Sequence, residues 1–386
     1  MRSLLLGALV VCMALPVYSY ALYPLLLGWM AKLRSARGAP RSAAGADAVR
    51  LPVAVVVAAF NEEAHIAGLV ASLRAARYAG RLCIHVGSDG STDATVARLR
   101  EVAGADLQVH AFERNRGKVA VLNDIIAAID EPIVVFTDAN TDWDADALTC
   151  LVRHFSDPQV GLVCGELQLY HAGDGDNVDG LYWRIEKFLK RAEARIDALL
   201  GANGAIYAIR RECYLPLATD TIVDDFCIGM DIAVRGKRLV YDPEAVVREL
   251  APPNISDEVG RRIRIGVGNY QAFFRHPEYL FRSGYARAFA YVSHKVLRWF
   301  TPQLLILTLL LSAILSGQWP FGVLLVVQIA GYLACALAYL AGRHYRLPGP
   351  LRIPVFLVSL HAALAIGFWR YLTGQYGGSW RRTRRA

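Results

Sequence analysis

The chain has 386 residues, 55% of them hydrophobic, a formal charge of +8 and a mean hydropathy of +0.31. That is apolar for a soluble protein, and the apolar residues are clustered: 1–30 and most of 299–341 and 353–369 are almost uncharged, while about 50–295 holds most of the acids. The pattern predicts a membrane protein with a water-soluble core. The basic excess lies largely beside the apolar runs (Lys32, Arg34, Arg37, Arg41; Arg343, Arg346, Arg352; Arg381, Arg382, Arg384, Arg385), where orientation and lipid headgroups account for it, so membrane lipids are expected as partners and nucleic acid is not. None of the seven cysteines forms a CxxC pair, and Cys12, Cys83, Cys150, Cys164 and Cys335 lie in apolar surroundings. They read as buried free thiols, with neither a disulfide framework nor a metal-type pairing.

In chain order, residues 3–30 are too long an apolar run for a signal peptide and lack a convincing cleavage site, so they predict one spanning helix. The basic cluster from Lys32 to Arg41 predicts that the following domain is cytoplasmic, hence a multi-pass protein of the cell inner (plasma) membrane. After a small-residue linker, strand-like runs (53–60, 82–88, 107–112, 133–136) alternate with helix-like ones (62–76, 92 to about 102, 117–129), which predicts βαβ units and a parallel sheet covered on both faces. Residues 161–170 read as a further strand and 180–200 as an amphipathic helix lying on the sheet or the bilayer. Residues 275–298 read as an interfacial amphipathic helix. Apolar spans follow at about 299–316, 320–341 and 353–374. Four full spans with a cytoplasmic domain would put the WRRTRRA tail outside, so either one segment crosses incompletely or the tail breaks the charge rule.

Polar clusters stand where strands end, the place where open α/β sheets bind ligands. Phe60-Asn61-Glu62 opens a helix after the first strand; it is either a cap or a grip on a nucleobase edge. Asp89, at the end of the second, is placed to bind a ribose or a base imide, while Thr92 and Asp93 suit capping. Arg114-Asn115-Arg116-Gly117-Lys118 puts basic residues at a helix start, against the helix dipole, which calls for an anionic partner such as a diphosphate. After the fourth strand, Asp138 and Asn140 are two residues apart, point the same way, and can share one hard cation; the alternative is an acidic turn before Leu148.

Together, AAFNEE (58–63), SDGSTD (88–93), RGKVAVLN (116–123), FTDANTD (136–142), GANGAIYAIRRE (201–212), VDDFCIGMDIAVRGKRLVYDPEA (223–245) and RRIRIGVGNYQ (261–271) resemble the family 2 inverting glycosyltransferases of GT-A fold. The resemblance is to the membrane-embedded branch that includes hyaluronan, chitin and cellulose synthases. It implies an α/β, Rossmann-like and mostly parallel domain over 51–274, flanked by an N-terminal transmembrane helix (1–31) and a linker (32–50). The interfacial helix (275–298), about three C-terminal transmembrane helices (299–374) and a basic tail (375–386) complete the division. It implies a nucleotide-sugar donor, UDP-linked by expectation, with Phe60, Asn61, Glu62 and Asp89 at the base and Lys118 at the diphosphate. Asp138, with Asn140 as second member, takes the metal position for Mg²⁺ or Mn²⁺. Asp225 matches the position of the catalytic base, with like-charge repulsion from Asp224 raising the pair's upper pKa. Arg261 and Arg264 fall at the motif that clamps the diphosphate, Asn203 and Gly204 in the loop facing the acceptor. The Gln and Trp of the processive QxxRW motif are absent from Arg261–Ile265. The expected acceptor is a growing polysaccharide or a lipid-linked glycan; the alternative is one sugar added to a polyprenyl phosphate or lipid-linked acceptor. A catalytically silent nucleotide-binding membrane subunit is the rival from another class, resting on Asn140 in place of an acid.

Overall fold

Seven consecutive residues, Val53 to Ala59, are buried, and a strand covered on both faces must be apolar on both. This strand lies inside an eight-stranded sheet. The computed structural model describes residues 1–36, 50–170, 178–250, 255–341 and 349–377. Most of the linker expected at 32–50 and of the tail expected at 375–386 lies outside the described residues.

The elements are α1 Arg2–Val17, α2 Tyr23–Ala36, β1 Val53–Ala59, α3 Ile66–Arg74, β2 Leu82–Asp89, α4 Thr95–Glu101, β3 Leu107–Phe112 and α5 Lys118–Ala128. There follow β4 Ile133–Thr137, β5 Thr141–Trp143, α6 Ala147–Val152, β6 Val160–Tyr170, α7 Val178–Arg195, β7 Tyr207–Arg210, α8 Asp224–Val234 and β8 Arg238–Leu250. The last are α9 Ile255–Arg275, α10 Glu278–Phe281, α11 Tyr285–Ala290, α12 Leu297–Ile314, α13 Phe321–Ala341 and α14 Gly349–Leu372.

The strand order is β3-β2-β1-β4-β7-β6-β8-β5. β1 pairs in parallel with β2 and β4, as do β2 with β3 and β6 with β8; β7 runs antiparallel to β4 and β6, and β5 to β8. The chain leaves β1 towards β2 and β3, then returns on the other side of β1 as β4. That reversal opens a crevice at the carboxyl ends of β1 and β4. Alternation divides the core into two layers. Ala54, Val56, Val134 and Phe136 face Val121 and Ile125 of α5 and Met230 of α8, while Val53, Val55 and Val135 face Leu69 of α3 and Leu151 of α6.

The sheet is mostly parallel, as the alternation implies, but its second half is mixed. The sequence reading does not anticipate β5, β7 or β8. The first two have three and four residues, too few to show a period, and Pro243 with charged neighbours interrupts the apolar pattern of β8.

Among the described residues, four helices are long and apolar enough to cross a membrane: Arg2–Arg34, Tyr285–Ile314, Phe321–Ala341 and Leu351–Leu372. The segment expected as a separate amphipathic helix at 275–298 differs. Arg275 ends α9, and α11 continues through a π-helical stretch (Tyr291–Val296) into α12. Its polar side chains are turned into the protein. Arg287 is buried and donates to the carbonyls of Leu199 (3.1 Å), Asp197 (3.0 Å) and Ser283 (3.0 Å). His294 stands between Glu193 (2.6 Å) and Glu186 (3.3 Å), and Arg298 reaches Glu186 at 2.7 Å. Tyr23 of α2 donates to Glu193 at 3.1 Å, so three segments meet in one buried polar knot. Part of the amphipathic look of 275–298 comes from His294, Lys295 and Arg298, which pair with α7, and from Arg287, which bonds the loop after it.

Glycine settles where α8 begins. A Cβ at Gly229 would stand 2.5 Å from Gly201 Cα, so the α8 backbone touches the loop after α7 directly. Gly229→Ala is expected to force this contact apart and to destabilise the domain by about 1–3 kcal/mol. The check is a lowered midpoint for the soluble domain's signal in thermal unfolding, with Gly236→Ala unsuitable as a control because Gly236 has positive φ and Gly260→Ala, in open space, suitable.

Candidate active site

The crevice is built from loops that leave the sheet. After β1, Asn61 takes a left-handed φ of 56°, a conformation Asn tolerates. Its Oδ1 accepts from the Thr92 N–H at 2.8 Å, and the Glu62 N–H donates to Thr95 Oγ1 at 2.8 Å. The Glu62 carboxylate turns back to His65 Nδ1 at 3.1 Å. These bonds lace the loop after β1 to the loop after β2. Phe60 is half-buried beside them.

Asp89 at the end of β2 is fully buried. Its two oxygens accept from the N–H groups of Arg116 and Gly117, each at 2.8 Å. The residue expected to face a ribose or base thus fastens the basic loop ahead of α5, and shapes the crevice through that loop. Gly117, with a φ of 95°, makes the turn into the helix, and Lys118 follows.

The Lys118 ammonium is the centre of the site. Its Nζ lies 3.2 Å from Asp138 Oδ1 and 3.4 Å from Asp224 Oδ2, and its side chain is 22% exposed. Burial alone would lower its pKa, but Asp138, Asp224 and Asp225 outweigh burial and hold it above the ordinary lysine value. Asp138 sits just past β4, where its carbonyl accepts from the Thr141 hydroxyl at 2.9 Å, and its side chain is 35% exposed. Asn140, half-buried, is in the same turn.

Asp224 and Asp225 open α8, where the helix dipole favours carboxylates. Asp225 Oδ1 accepts from the Phe226 N–H at 2.8 Å. Its other oxygen faces Gly204: a Cβ there would be 3.4 Å from Asp225 Oδ2 and 3.9 Å from Lys118 Nζ. Burial, then the charge of Asp224, push the Asp225 carboxyl up, against the pull of Lys118 and Lys190. Asn203 is held by its amide donating to the Gly165 carbonyl at 3.1 Å and by Lys190, which donates to its Oδ1. From α9, the exposed Arg264 lies within electrostatic reach of Asp224, Asp138 and Asp225, with Arg261 beside it.

Lys118, Asp138, Asp224, Asp225 and Gly204 therefore meet in one crevice, Asp89 braces its basic loop, and Asn61 and Glu62 tie the loops after β1 and β2 together. Two others escape the sequence reading. Lys190 is one of a run of basic residues in an amphipathic helix, with nothing in its spacing to mark it. Tyr207 lies under the acids, stacked on Phe136 at 4.5 Å, and its hydroxyl has no hydrogen-bond partner among the described residues. It stands four residues after Asn203 in the same quoted segment, and only that proximity could have signalled it.

Three carboxylates around one ammonium leave a formal excess of negative charge at the crevice, with the guanidinium groups of Arg264 and Arg261 in electrostatic reach. That donor set, one half-exposed carboxylate with a neighbouring amide oxygen, suits a hard divalent cation that takes one or two protein oxygens and completes its shell with water and substrate phosphate.

Among solved structures, the chain resembles the mannosyltransferase PcManGT from Pyrobaculum calidifontis, determined in complex with GDP-Man and Mn²⁺. The TM-score is 0.70 at 24% identity, over 95% of this chain and 99% of that one. Poly-beta-1,6-N-acetyl-D-glucosamine synthases of Staphylococcus aureus (strain COL) and Staphylococcus epidermidis are each 24% identical over 230 residues, 58% of this chain. The match spans 56% of the length of these curated relatives. The sequence profile described as glycosyltransferase-like family 2 matches residues 50–268, more than half of the chain and every strand and loop of the crevice. The chain belongs to glycosyltransferase family 2, and it is a glycosyltransferase with the GT-A fold.

Proposed function

We propose that the protein is a membrane-bound inverting transferase that moves a sugar from a nucleoside diphosphate donor to a hydroxyl of a glycan held at the bilayer, on a lipid or as a growing chain. The observation that carries this reading is Asp225: a carboxylate with raised proton affinity, one oxygen fixed by the Phe226 N–H and the other facing the open space beside Gly204. Inversion in one displacement needs a base on the face opposite the leaving group to take the proton of the attacking hydroxyl. In this reading Asp225 is that base, Asp224 sets its proton affinity, and Asn203 with Gly204 floors the acceptor side.

The donor lies over the other half of the crevice. Phe60, Asn61 and Glu62 border the base, and Asp89 acts as a positioning residue through the loop it fastens. Lys118 moves from carboxylates to phosphate oxygens, joined by Arg264 and Arg261, whose guanidinium groups suit paired oxygens. Asp138 and Asn140 would hold Mg²⁺ or Mn²⁺, which supplies positive charge to the departing diphosphate. UDP is the first donor to test and GDP the second, since the structurally similar mannosyltransferase was solved with GDP-Man.

Two observations bear on the acceptor. Helix α9, which carries Arg261 and Arg264, packs on the apolar helix α14: a Cβ at Gly367 would come within 2.9 Å of the Gly266 backbone, and Arg262 lies over the Phe356 ring at 4.4 Å. The active site thus abuts a helix of membrane-spanning length, which favours an acceptor delivered from the bilayer. The missing Gln and Trp at Arg261–Ile265 favour single addition over a processive chain. A second reading has a lipid phosphate as the nucleophile; an anionic phosphate oxygen carries no proton to remove, so that reaction leaves Asp225 without a proton to take.

Three outcomes are expected with purified protein in nanodiscs. Asp225→Asn should retain donor binding and lose about 10²–10⁴-fold in kcat with hydroxyl acceptors; near-normal turnover on a polyprenyl phosphate would instead establish the second reading. The acid limb of the kcat/KM profile should lie above the ordinary aspartate pKa of about 3.9. Because Asp224 raises Asp225, Asp224→Asn should move that limb to lower pH, and a limb that stays in place would disprove the coupling. Asp138→Ala should remove the dependence of nucleoside diphosphate affinity on Mg²⁺ or Mn²⁺, measured by calorimetric titration with and without the ion.

A further inference from the structure

At the opposite end of the sheet from the crevice, a sulfur, an imidazole and a carboxylate converge. Cys83 and His85 alternate on β2, so their side chains share the face covered by α5; their β1 partners in the register are Ala54 and Val56. Glu131 comes from the connection between α5 and β4. The Cys83 sulfur, a ring nitrogen of His85 and a Glu131 carboxylate oxygen all lie within 4.8 Å of one another. Cys83 and His85 are each 5% exposed.

The tautomer of His85 is set from behind. Its Nδ1 is 3.3 Å from His110 Nε2 on β3, and the two rings stack at 5.6 Å. Nε2 of His85 is buried with no hydrogen-bond partner among the described residues. A buried ring nitrogen without a partner loses its hydration and gains nothing in exchange, which a ligand at that nitrogen would offset. If Nδ1 carries the proton and donates to His110, Nε2 keeps a buried lone pair with no hydrogen-bond partner among the described residues. One ring nitrogen bonded to a neighbour and the other free is the arrangement that orients metal-ligating histidines.

From this geometry we propose that Cys83, His85 and Glu131 form a zinc site. Thiolate, imidazole and carboxylate are the three side-chain donors zinc uses, and this set differs from the all-oxygen set at Asp138 that suits Mg²⁺ or Mn²⁺. Zinc bonds of about 2.0–2.3 Å in a tetrahedron hold ligand atoms roughly 3.5 Å apart, so shifts of about an ångström close the site, and water takes the fourth position. Coordination replaces the Cys83 thiol proton, which is released to solvent. The metal ties β2 to the α5–β4 connection, and so fixes the far end of the helix whose first residue is Lys118.

Cobalt distinguishes this site from the catalytic one, because only a thiolate ligand gives the intense near-ultraviolet charge-transfer absorption of a sulfur–cobalt bond. Full-length protein stripped with chelator and given one equivalent of Co²⁺ should show that band, and zinc should bleach it. Asp138→Ala should keep the band, and Cys83→Ser should abolish it. His85→Gln and Glu131→Gln, which keep the thiol, should weaken Zn²⁺ binding in a chelator competition, and His110→Gln should weaken it roughly 10–100-fold. Absence of the band in the wild type, or its survival in Cys83→Ser, overturns the proposal; unchanged zinc affinity in His85→Gln does so even where Cys83→Ser does not fold.

Discussion

The candidate active site depends on one half-buried ammonium. Lys118 stands among Asp138, Asp224 and Asp225, which arrive on two other parts of the chain: the turn after β4 and the first two residues of α8, against the first residue of α5. A charge taken out of water must be paired, and pairing a lysine with acids from separate elements obliges those elements to converge. Asp89 makes the convergence reproducible from below by holding the two backbone amides ahead of Lys118. The loop cannot drift without unpairing a fully buried carboxylate.

The same cluster separates two adjacent carboxylates by environment. Asp224 is directed to the ammonium at 3.4 Å, whereas Asp225 is directed to the space beside Gly204 and is pushed up by burial and by its neighbour. Two acids side by side at a helix start thereby acquire different environments, which in the proposed mechanism suit one as counter-ion and the other as proton acceptor. Tyr207 lies beneath both, and burial, then the two acids, raise its phenol, keeping a neutral floor under a charged centre.

A second polar knot fixes where the catalytic domain sits relative to the apolar helices. Glu186 and Glu193 of α7 meet His294, Arg298 and Tyr23, residues of the two helices that flank the domain in sequence. Surface ion pairs contribute little, but pairs this deeply buried are strongly destabilising to break, because one partner is left uncompensated. With α9 packed on α14 along Gly266 and Gly367, the domain and the helices form one body, and the crevice is held against the apolar helices.

Periodicity and turn chemistry made much of this legible in the sequence. Apolar runs such as Val53–Ala59 and Ile133–Phe136 can only be strands buried on both faces, so the alternating strands and helices, and with them the crevice at the strand ends, follow from local pattern. Asp89, Lys118 and Asp138 stood out as candidates for the same reason, each a polar residue where a strand stops or a helix starts, whereas Asp225 was marked by the family resemblance and not by its local pattern. Tertiary structure alone decided what each does. That Asp89 fastens a loop, that the polar face of 285–298 turns inward, that β7 and β8 complete the sheet, and that Cys83 and His85 meet Glu131 all rest on contacts between residues far apart in the chain. Local sequence determines which way a side chain points from its own backbone; only packing determines what it meets there.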